Sequence, residues 1–386
     1  MDAGEHHRSG GGGRPVTLLT RAGLLLAATV TAILATAAPA LAHGADAPNG
    51  TDYRVTVTDA GRPDLRVRVI EAGARLELTN TGDTPVEVIG YSGEPYLRIG
   101  PDGVHENTRS PATYLNRTIV GDTALPAEAD PAAEPRWRRV DSGSTARWHD
   151  QRALWRETTP PAQVRAAPDR EHRVRDWVIP LRDANGPLEI RGTLDWVPPP
   201  DAYTWWVVAV VGALAVGALG VLPATSIPGR RALVALGGLL LVGGVAAIAL
   251  ALGRTLDGGA QGPGGVLAGL LTGPVWTLLT GLGAIAAGAR AMTGGHTSTD
   301  GGGAASASRS HADFLVGLAG VCLALFAGVT NIAGFTRAVL PMPWPPTIAR
   351  VLVVLVLVAG AGALAAALLR LHAAARQTTG ATAATR

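Results

Sequence analysis

The sequence predicts an exported all-β domain, an immunoglobulin-like sandwich, followed by an α-helical bundle of five transmembrane helices. Three observations predict this fold class. A short apolar run behind arginines opens the chain. Residues 43–200 then alternate apolar and polar side chains in short runs separated by turn residues. Residues 201–372 are mostly apolar and contain five runs of about 20 residues, the length that crosses a bilayer as a helix.

The N-terminal segment is typical of a secretory signal peptide. Arg14 and Arg21 precede an apolar run at residues 22–38, and Ala40 and Ala42 supply the small side chains that a signal peptidase requires. We therefore expect residues 1–42 to be removed. His43 would then be the new N-terminus. The alternative is that the run stays as an anchor helix.

The region after the signal peptide is predicted to form strands. Residues 80–83, Asn-Thr-Gly-Asp, are a strong turn signal between two of them. Short strands without a helical period favour an antiparallel sandwich. Residues 91–116, 122–135 and 158–169 are interpreted as loops. The predicted strands cover residues 53–58, 65–70, 75–79, 85–89, 137–140, 144–148, 174–181 and 188–197.

The apolar half is predicted to cross the membrane five times. Tyr203, Trp205 and Trp206 open the first crossing, where aromatic rings favour the interface between water and lipid. Pro274 should kink the third crossing. The predicted crossings are residues 202–222, 232–252, 266–289, 314–335 and 351–371.

Glycines in these crossings predict close packing between helices. Gly265, Gly269 and Gly273 recur every four residues, and the second crossing carries two glycine pairs at residues 237–238 and 243–244. Small residues at such spacing allow helix backbones to approach each other.

Arginine placement predicts the orientation. With the β domain outside, the inner segments carry more arginines than the outer loops, as the positive-inside rule requires. We therefore expect a multi-pass cell-membrane protein with an extracytoplasmic β domain and a cytoplasmic tail at residues 373–386. The inner arginines are Arg230, Arg231, Arg290, Arg309, Arg376 and Arg386, and the outer ones Arg254, Arg337 and Arg350.

Composition and motifs restrict the function classes. A formal charge of +3 is too small to indicate a nucleic-acid partner. The sequence contains no Gly-x-Ser-x-Gly nucleophile elbow and no phosphate-binding loop. We therefore expect a protein that is not an enzyme, whose partners are the lipid bilayer and a protein of the cell envelope.

Histidines raise the hypothesis of a copper site in the exported domain. A free α-amine beside the His43 imidazole would form a chelating pair that Cu(II) favours, with His149 and His105 as further ligands. Residues 43–200 contain no Met or Cys, which disfavours Cu(I). Asp150 next to His149 could orient the ring as an outer-shell carboxylate. The alternatives are that His149 is a structural histidine and that His43 belongs to a free chain terminus.

Three segments carry a resemblance to a known family. Residues 90–99 (GYSGEPYLRI), 110–116 (SPATYLN) and 147–150 (RWHD) resemble an actinobacterial family of membrane proteins without an assigned activity. The last segment carries further histidines in that family, whereas this chain has Gln151 and Leu154. The layout also resembles periplasmic copper-resistance proteins at the level of architecture. The resemblance implies a β-rich exported domain and a multi-pass anchor.

Two functional classes are left by these arguments. The first is an extracytoplasmic binding domain on an integral membrane protein, with copper as the predicted ligand. The alternative is a structural or protein-interaction component of the cell envelope.

Overall fold

The computed structural model describes residues 49–294 and 303–384. The predicted signal peptide and His43 lie outside the described residues. The chain divides into a β domain that ends at Trp196 and a helical bundle that begins at Ala202.

The β domain consists of ten strands in two antiparallel sheets. The larger sheet has the order β1-β10-β9-β4-β5-β6-β7, and the smaller has the order β2-β3-β8. The strands are β1 (Tyr53–Asp59), β2 (Leu65–Ile70), β3 (Arg75–Asn80), β4 (Val86–Ile89), β5 (Pro95–Gly100), β6 (Gly103–Asn107), β7 (Trp137–Asp141), β8 (Thr145–Trp148), β9 (His172–Asp183) and β10 (Gly186–Trp196).

Both sheets contribute to one apolar core. Leu76 and Leu78 of β3 are buried with Ile99 of β5 and Ile179 of β9. Alternation along each strand places these apolar side chains on the face toward the core. The predicted β-rich domain is confirmed, while its immunoglobulin-like arrangement and its export stay predictions.

One loop prediction is wrong. Residues 91–116 contain the hairpin β5–β6, whose register pairs Arg98 with His105. Its turn is made by Pro101 and Asp102 ahead of Gly103, which has φ +115°. Polar side chains occupy about half of the positions in β5 and β6, and they hide the alternation of apolar and polar residues that predicts a strand. A short helix, α1 (Ala112–Leu115), follows the hairpin, and a second, α2 (Ala162–Ala166), lies in the predicted Pro/Ala loop.

Among the described residues, five helices are long and apolar enough to cross a membrane, which indicates a multi-pass membrane protein. Asp201 caps the first of them by accepting a hydrogen bond from the backbone nitrogen of Tyr203. The long helices are α3 (Ala202–Ala218), α4 (Ile227–Asp257), α6 (Val275–Gly294), α7 (Gly303–Leu323) and α8 (Pro346–Ala384), with a short apolar helix α5 (Gly262–Thr272) before α6.

The predicted third crossing, residues 266–289, needs correction. The helix is interrupted at Gly273 and Pro274, so α5 and α6 are separate. None of the residues of α5 is buried, and its Gly269 approaches Thr255 in the last turn of α4. The crossing therefore begins at Val275, and α5 lies beside the end of α4 nearest the β domain.

Close helix contacts occur at only part of the predicted glycines. A Cβ on Gly244 of α4 would lie 2.5 Å from the carbonyl oxygen of Gly281 on α6, so these backbones touch. Gly265, by contrast, has open space around its Cβ position, and Gly273 lies in the helix break. Of the predicted small-residue face on residues 265–273, only Gly269 packs closely against another helix, at Thr255 of α4.

A buried ion pair lies in the bundle. Arg370 of α8 donates from Nε to Asp313 of α7 at 2.6 Å and from Nη1 to the carbonyl of Gly229 at 3.1 Å. Both charged side chains are almost fully enclosed. Sequence inspection overlooked this pair because its members are 57 residues apart. The pair joins three helices at the end of the bundle farthest from the β domain.

Candidate functional site at the junction of the β domain and the helices

Asp52, just ahead of β1, fixes one side of the junction between the β domain and the helices. Its carboxylate accepts hydrogen bonds from Arg337 Nη1 at 2.7 Å and from the backbone nitrogen of Ala338 at 2.9 Å. Thr51 and Val339 add a two-way backbone bridge. Asp52 is buried, so this charge-assisted contact is shielded from water.

A strained turn fixes the opposite side. Glu71 and Ala72 have φ angles of +55° and +54°, a region that non-glycine residues rarely occupy. The turn directs the Ala72 backbone N–H at the Asp257 carboxylate, at 2.9 Å, where α4 ends. Successive N–H groups in such a turn form a concave anion site, known as a nest. The strain is consistent with a conformation maintained for docking.

Arg147 of β8 makes a third contact between the two parts. Its Nε donates to Glu77 at 2.7 Å, and its Nη2 donates to the carbonyl of Gly259 at 2.6 Å. Glu77 is buried and also binds Arg68. These contacts hold the loop after α4 against the small sheet.

A cavity of about 1300 Å³ opens between these contacts and runs down between α6 and α7. Its mouth is polar and is lined by Glu71, Arg147, Arg254 and Asp257. Its deeper wall is formed by apolar and small side chains of the two helices, with α5 along one rim. We call it the junction cavity. Both the β domain and the bundle form it, so neither part contains the whole site.

Arg254 lies at this mouth without an ion-pair partner. Among the described residues, no carboxylate lies within 4 Å of its guanidinium. Its Nε donates to Asn331 Oδ1 at 2.9 Å, and its Nη2 donates to the carbonyl of Thr330 at 3.4 Å. Both partners are neutral. The guanidinium is half-buried at the end of a membrane helix, where an unbalanced charge is costly and usually functional.

His149 is buried beside the junction, and both its ring nitrogens are used. Nδ1 lies 2.8 Å from the carbonyl oxygen of Ala74, and Arg75 Nε lies 3.0 Å from Nε2. Arginine can only donate, so Nε2 accepts and Nδ1 carries the proton, which makes the ring neutral. A metal at Nε2 would have to replace Arg75.

Of the other two predicted copper ligands, the structure describes His105. His105 lies on β6, half-buried, with Nε2 3.9 Å from Asp102, and its Nδ1 is enclosed without a hydrogen-bond partner. His43 lies outside the described residues. Within residues 49–294 and 303–384, no group of three or more His, Cys, Asp or Glu side chains could hold a metal ion. The copper site stays a prediction.

The polar segment after β8 forms an internally satisfied network. Asp150 accepts hydrogen bonds from Trp148 Nε1 at 3.0 Å and from the Arg152 guanidinium at 2.8 Å. Arg152 in turn lies over the ring of Tyr91, 5.0 Å from its centroid. Burial raises the pKa of the Tyr91 hydroxyl. The polar groups of Asp150 and Arg152 are thus hydrogen-bonded within the protein.

Sequence reasoning missed the junction cavity and Arg254. Arg254 was counted only as a loop charge, because a charged residue near a predicted helix end is ordinary. One signal was present: Gly258 to Gly265 contains five glycines directly after Arg254, an unusual break between apolar runs. Comparison with protein-family models, curated proteins and solved structures found no match to this chain. The function therefore has to be argued from the site.

Proposed function

We propose that this chain is an integral membrane binding protein, in which an extracytoplasmic β domain and five membrane helices together enclose a ligand in the junction cavity. The observation that carries the proposal is the cavity itself, which has walls from both parts. Its volume exceeds the roughly 300–1,000 Å³ of ordinary small-molecule pockets.

Support for binding comes from how the two parts are joined. Asp257 and Arg147 line the cavity mouth and each makes a hydrogen bond across the junction, and Asp52 adds a further charge-assisted contact between the two parts. A rigid, pre-formed cavity binds with less loss of conformational freedom than a flexible one. The alternative, a structural envelope component, needs the docked domain but has no use for a cavity.

The position of the domain outside the cell is part of this proposal. It rests on the arginine distribution and on the signal-like N-terminal sequence. The loops that touch the β domain follow α4 and precede α8, so the domain and both loops share one side of the membrane.

The test is native mass spectrometry of the full chain, purified in a mild detergent. We expect a bound non-protein mass on the wild type that is lost from Gly283→Trp. Gly283 lines the cavity, and its Cβ position meets no atom within 4 Å, so the new side chain can enter the cavity without a backbone clash.

Gly238→Trp is the matched control, because Gly238 is a helical glycine with equally open surroundings that does not line the cavity. It should retain the bound mass. An empty wild-type protein, or a mass that both variants retain, would refute binding in the junction cavity and favour the structural alternative.

A further inference from the structure

We infer that the ligand of the junction cavity is an anionic, lipid-like amphiphile taken from the bilayer, with its head group at Arg254 and its chains between α6 and α7. This inference rests on the proposed function and specifies its ligand class. It follows from the depth of the cavity, the chemistry of its walls and the charge balance at its mouth.

The depth of the cavity matches one leaflet. On α6 its lining runs from Trp276 to Ala287, a rise of about 16 Å at 1.5 Å per residue. The hydrocarbon core of a bilayer is about 30 Å thick, so the cavity spans roughly half of it. Trp276 and Leu279 on its rim are half exposed, and the cavity is therefore open sideways toward lipid. A lipid from the leaflet on the domain side could enter without leaving the membrane.

The walls offer almost no polar groups to a ligand. The hydroxyl of Thr280 donates to the carbonyl of Trp276, and that of Thr277 donates to Phe326, so the wall threonines are satisfied within the protein. Phe326 belongs to a π-helical turn, Ala324–Gly328, that follows α7 on the opposite wall. Such turns interrupt a helix and are frequent at functional sites. Alkyl chains fit walls of this kind, whereas a sugar or a peptide would leave its polar groups unpaired.

Charge balance at the mouth favours an anion. The carboxylates at the mouth have contacts of their own: Asp257 accepts a hydrogen bond from the Ala72 backbone, and Glu71 lies 3.4 Å from Arg75. Asp257 also attracts Arg254 electrostatically, but it makes no ion pair with that guanidinium within 4 Å. Arg147 pairs with Glu77, a carboxylate that it shares with Arg68. Arg254 is left with neutral hydrogen-bond partners alone, and its guanidinium is the geometry that recognises phosphate or carboxylate oxygens.

The experiment measures lipid selectivity in the full chain. Protein in detergent is delipidated, then equilibrated with equal amounts of phosphatidylglycerol and phosphatidylcholine, and the retained lipids are counted by native mass spectrometry. We expect wild-type protein to prefer phosphatidylglycerol. Arg254→Gln should reduce that preference about tenfold, the loss of one charge-assisted hydrogen bond, while still binding lipid. Arg254→Lys should restore part of the preference.

Arg231→Gln is the matched charge control, because Arg231 is exposed at the opposite end of α4 and should leave the preference unchanged. Soluble glycerol phosphate should not displace the lipid, since it has no chain to fill the cavity.

Three results would overturn the inference. These are equal retention of both lipids by wild type, an unchanged preference in Arg254→Gln, and displacement by glycerol phosphate alone. If the bound mass lost from Gly283→Trp is not a lipid, the binding function stands and this inference fails. If the wild-type protein carries no bound mass at all, both the binding function and this inference fail.

Discussion

At the scale of single residues, buried arginines organise the β domain. Arg62 donates to Asp64 at 2.6 Å, to Asp183 at 2.6 Å and to the carbonyl of Thr84 at 3.0 Å. One side chain thereby joins the turn before β2, the turn after β3 and the β9–β10 hairpin. The domain contains no disulfide, so such polar links and the shared core hold its edges.

Arg62 predicts a pH dependence of stability. Its hydrogen bond lowers the pKa of the Asp64 carboxyl, and the Asn185 backbone N–H, followed by Arg62, lowers the pKa of Asp183. A carboxyl whose pKa is lowered in the folded state stabilises the fold at pH values above its usual pKa of 3.8. This stabilisation is lost as the pH falls through the folded-state pKa. Arg62→Gln should lower Tm at pH 7, and the difference from wild type should shrink below pH 3.8.

Thermal unfolding of the full chain at pH 7 and at a pH below 3.8 measures the difference in Tm between Arg62→Gln and wild type. Arg66→Gln is the control, because Arg66 is exposed on β2. A difference between Arg62→Gln and wild type that stays constant with pH would contradict the linkage.

The copper hypothesis is also tested at single residues. If His43 with its free α-amine forms the site, Cu(II) titration should fail after His43→Ala or after blocking the amine. His149→Ala should leave copper affinity unchanged, because that ring is already bonded to Ala74 and Arg75. Electron paramagnetic resonance of the processed chain gives the readout. A shift in the copper spectrum of His149→Ala would place His149 in the site.

At the scale of elements, the turn between β2 and β3 acts with the end of α4. The strained Glu71–Ala72 backbone donates a hydrogen bond to Asp257, so the turn and the helix end stabilise each other. His149 and Arg75 pack behind the same turn. His149, one of the predicted copper ligands, thus lies behind the docking surface.

Asp257→Asn should loosen this docking. A hydrogen bond to a charged group contributes about 1.5–3 kcal/mol, and about 1.4 kcal/mol is tenfold in an equilibrium. We therefore expect the Ala72 amide to exchange with deuterium at least about tenfold faster in the variant. Asp130→Asn, in the exposed loop before β7, is the control. Unchanged exchange at Ala72 would show that the contact does not hold the turn.

At the scale of the whole molecule, the five crossings alternate in direction. The β domain contacts the end of α4 and the loop before α8, so both lie on its side, and α8 leads to the opposite side. This agrees with an odd number of crossings. The separation of α5 from α6 leaves that number unchanged.

Reporter fusions test the orientation. A fusion after Pro200 should report the outside, and one after Arg376 should report the inside, because five crossings separate them. A third fusion, within residues 295–302, should agree with that after Arg376, since three crossings precede it. Equal signals at Pro200 and Arg376 would contradict five crossings.

The sequence by itself determined the β-rich domain, eight of its strands and the five membrane helices. Alternation over a strand and apolar length over a helix are local patterns that a single segment expresses. It failed at the hairpin β5–β6, where polar residues mask the alternation, and at the break before α6, where Pro274 ended a helix instead of bending it.

Only the tertiary structure decided the site. Asp52 meets Arg337 across 285 residues, and Ala72 meets Asp257 across 185. Such pairs leave no periodic trace in the chain. The same holds for the cavity, which is the space left where α6 and α7 separate beneath the β domain. Whether a charge such as Arg254 is neutralised depends on which distant groups the fold brings within 4 Å, because Coulomb attraction depends on distance in space and not along the sequence.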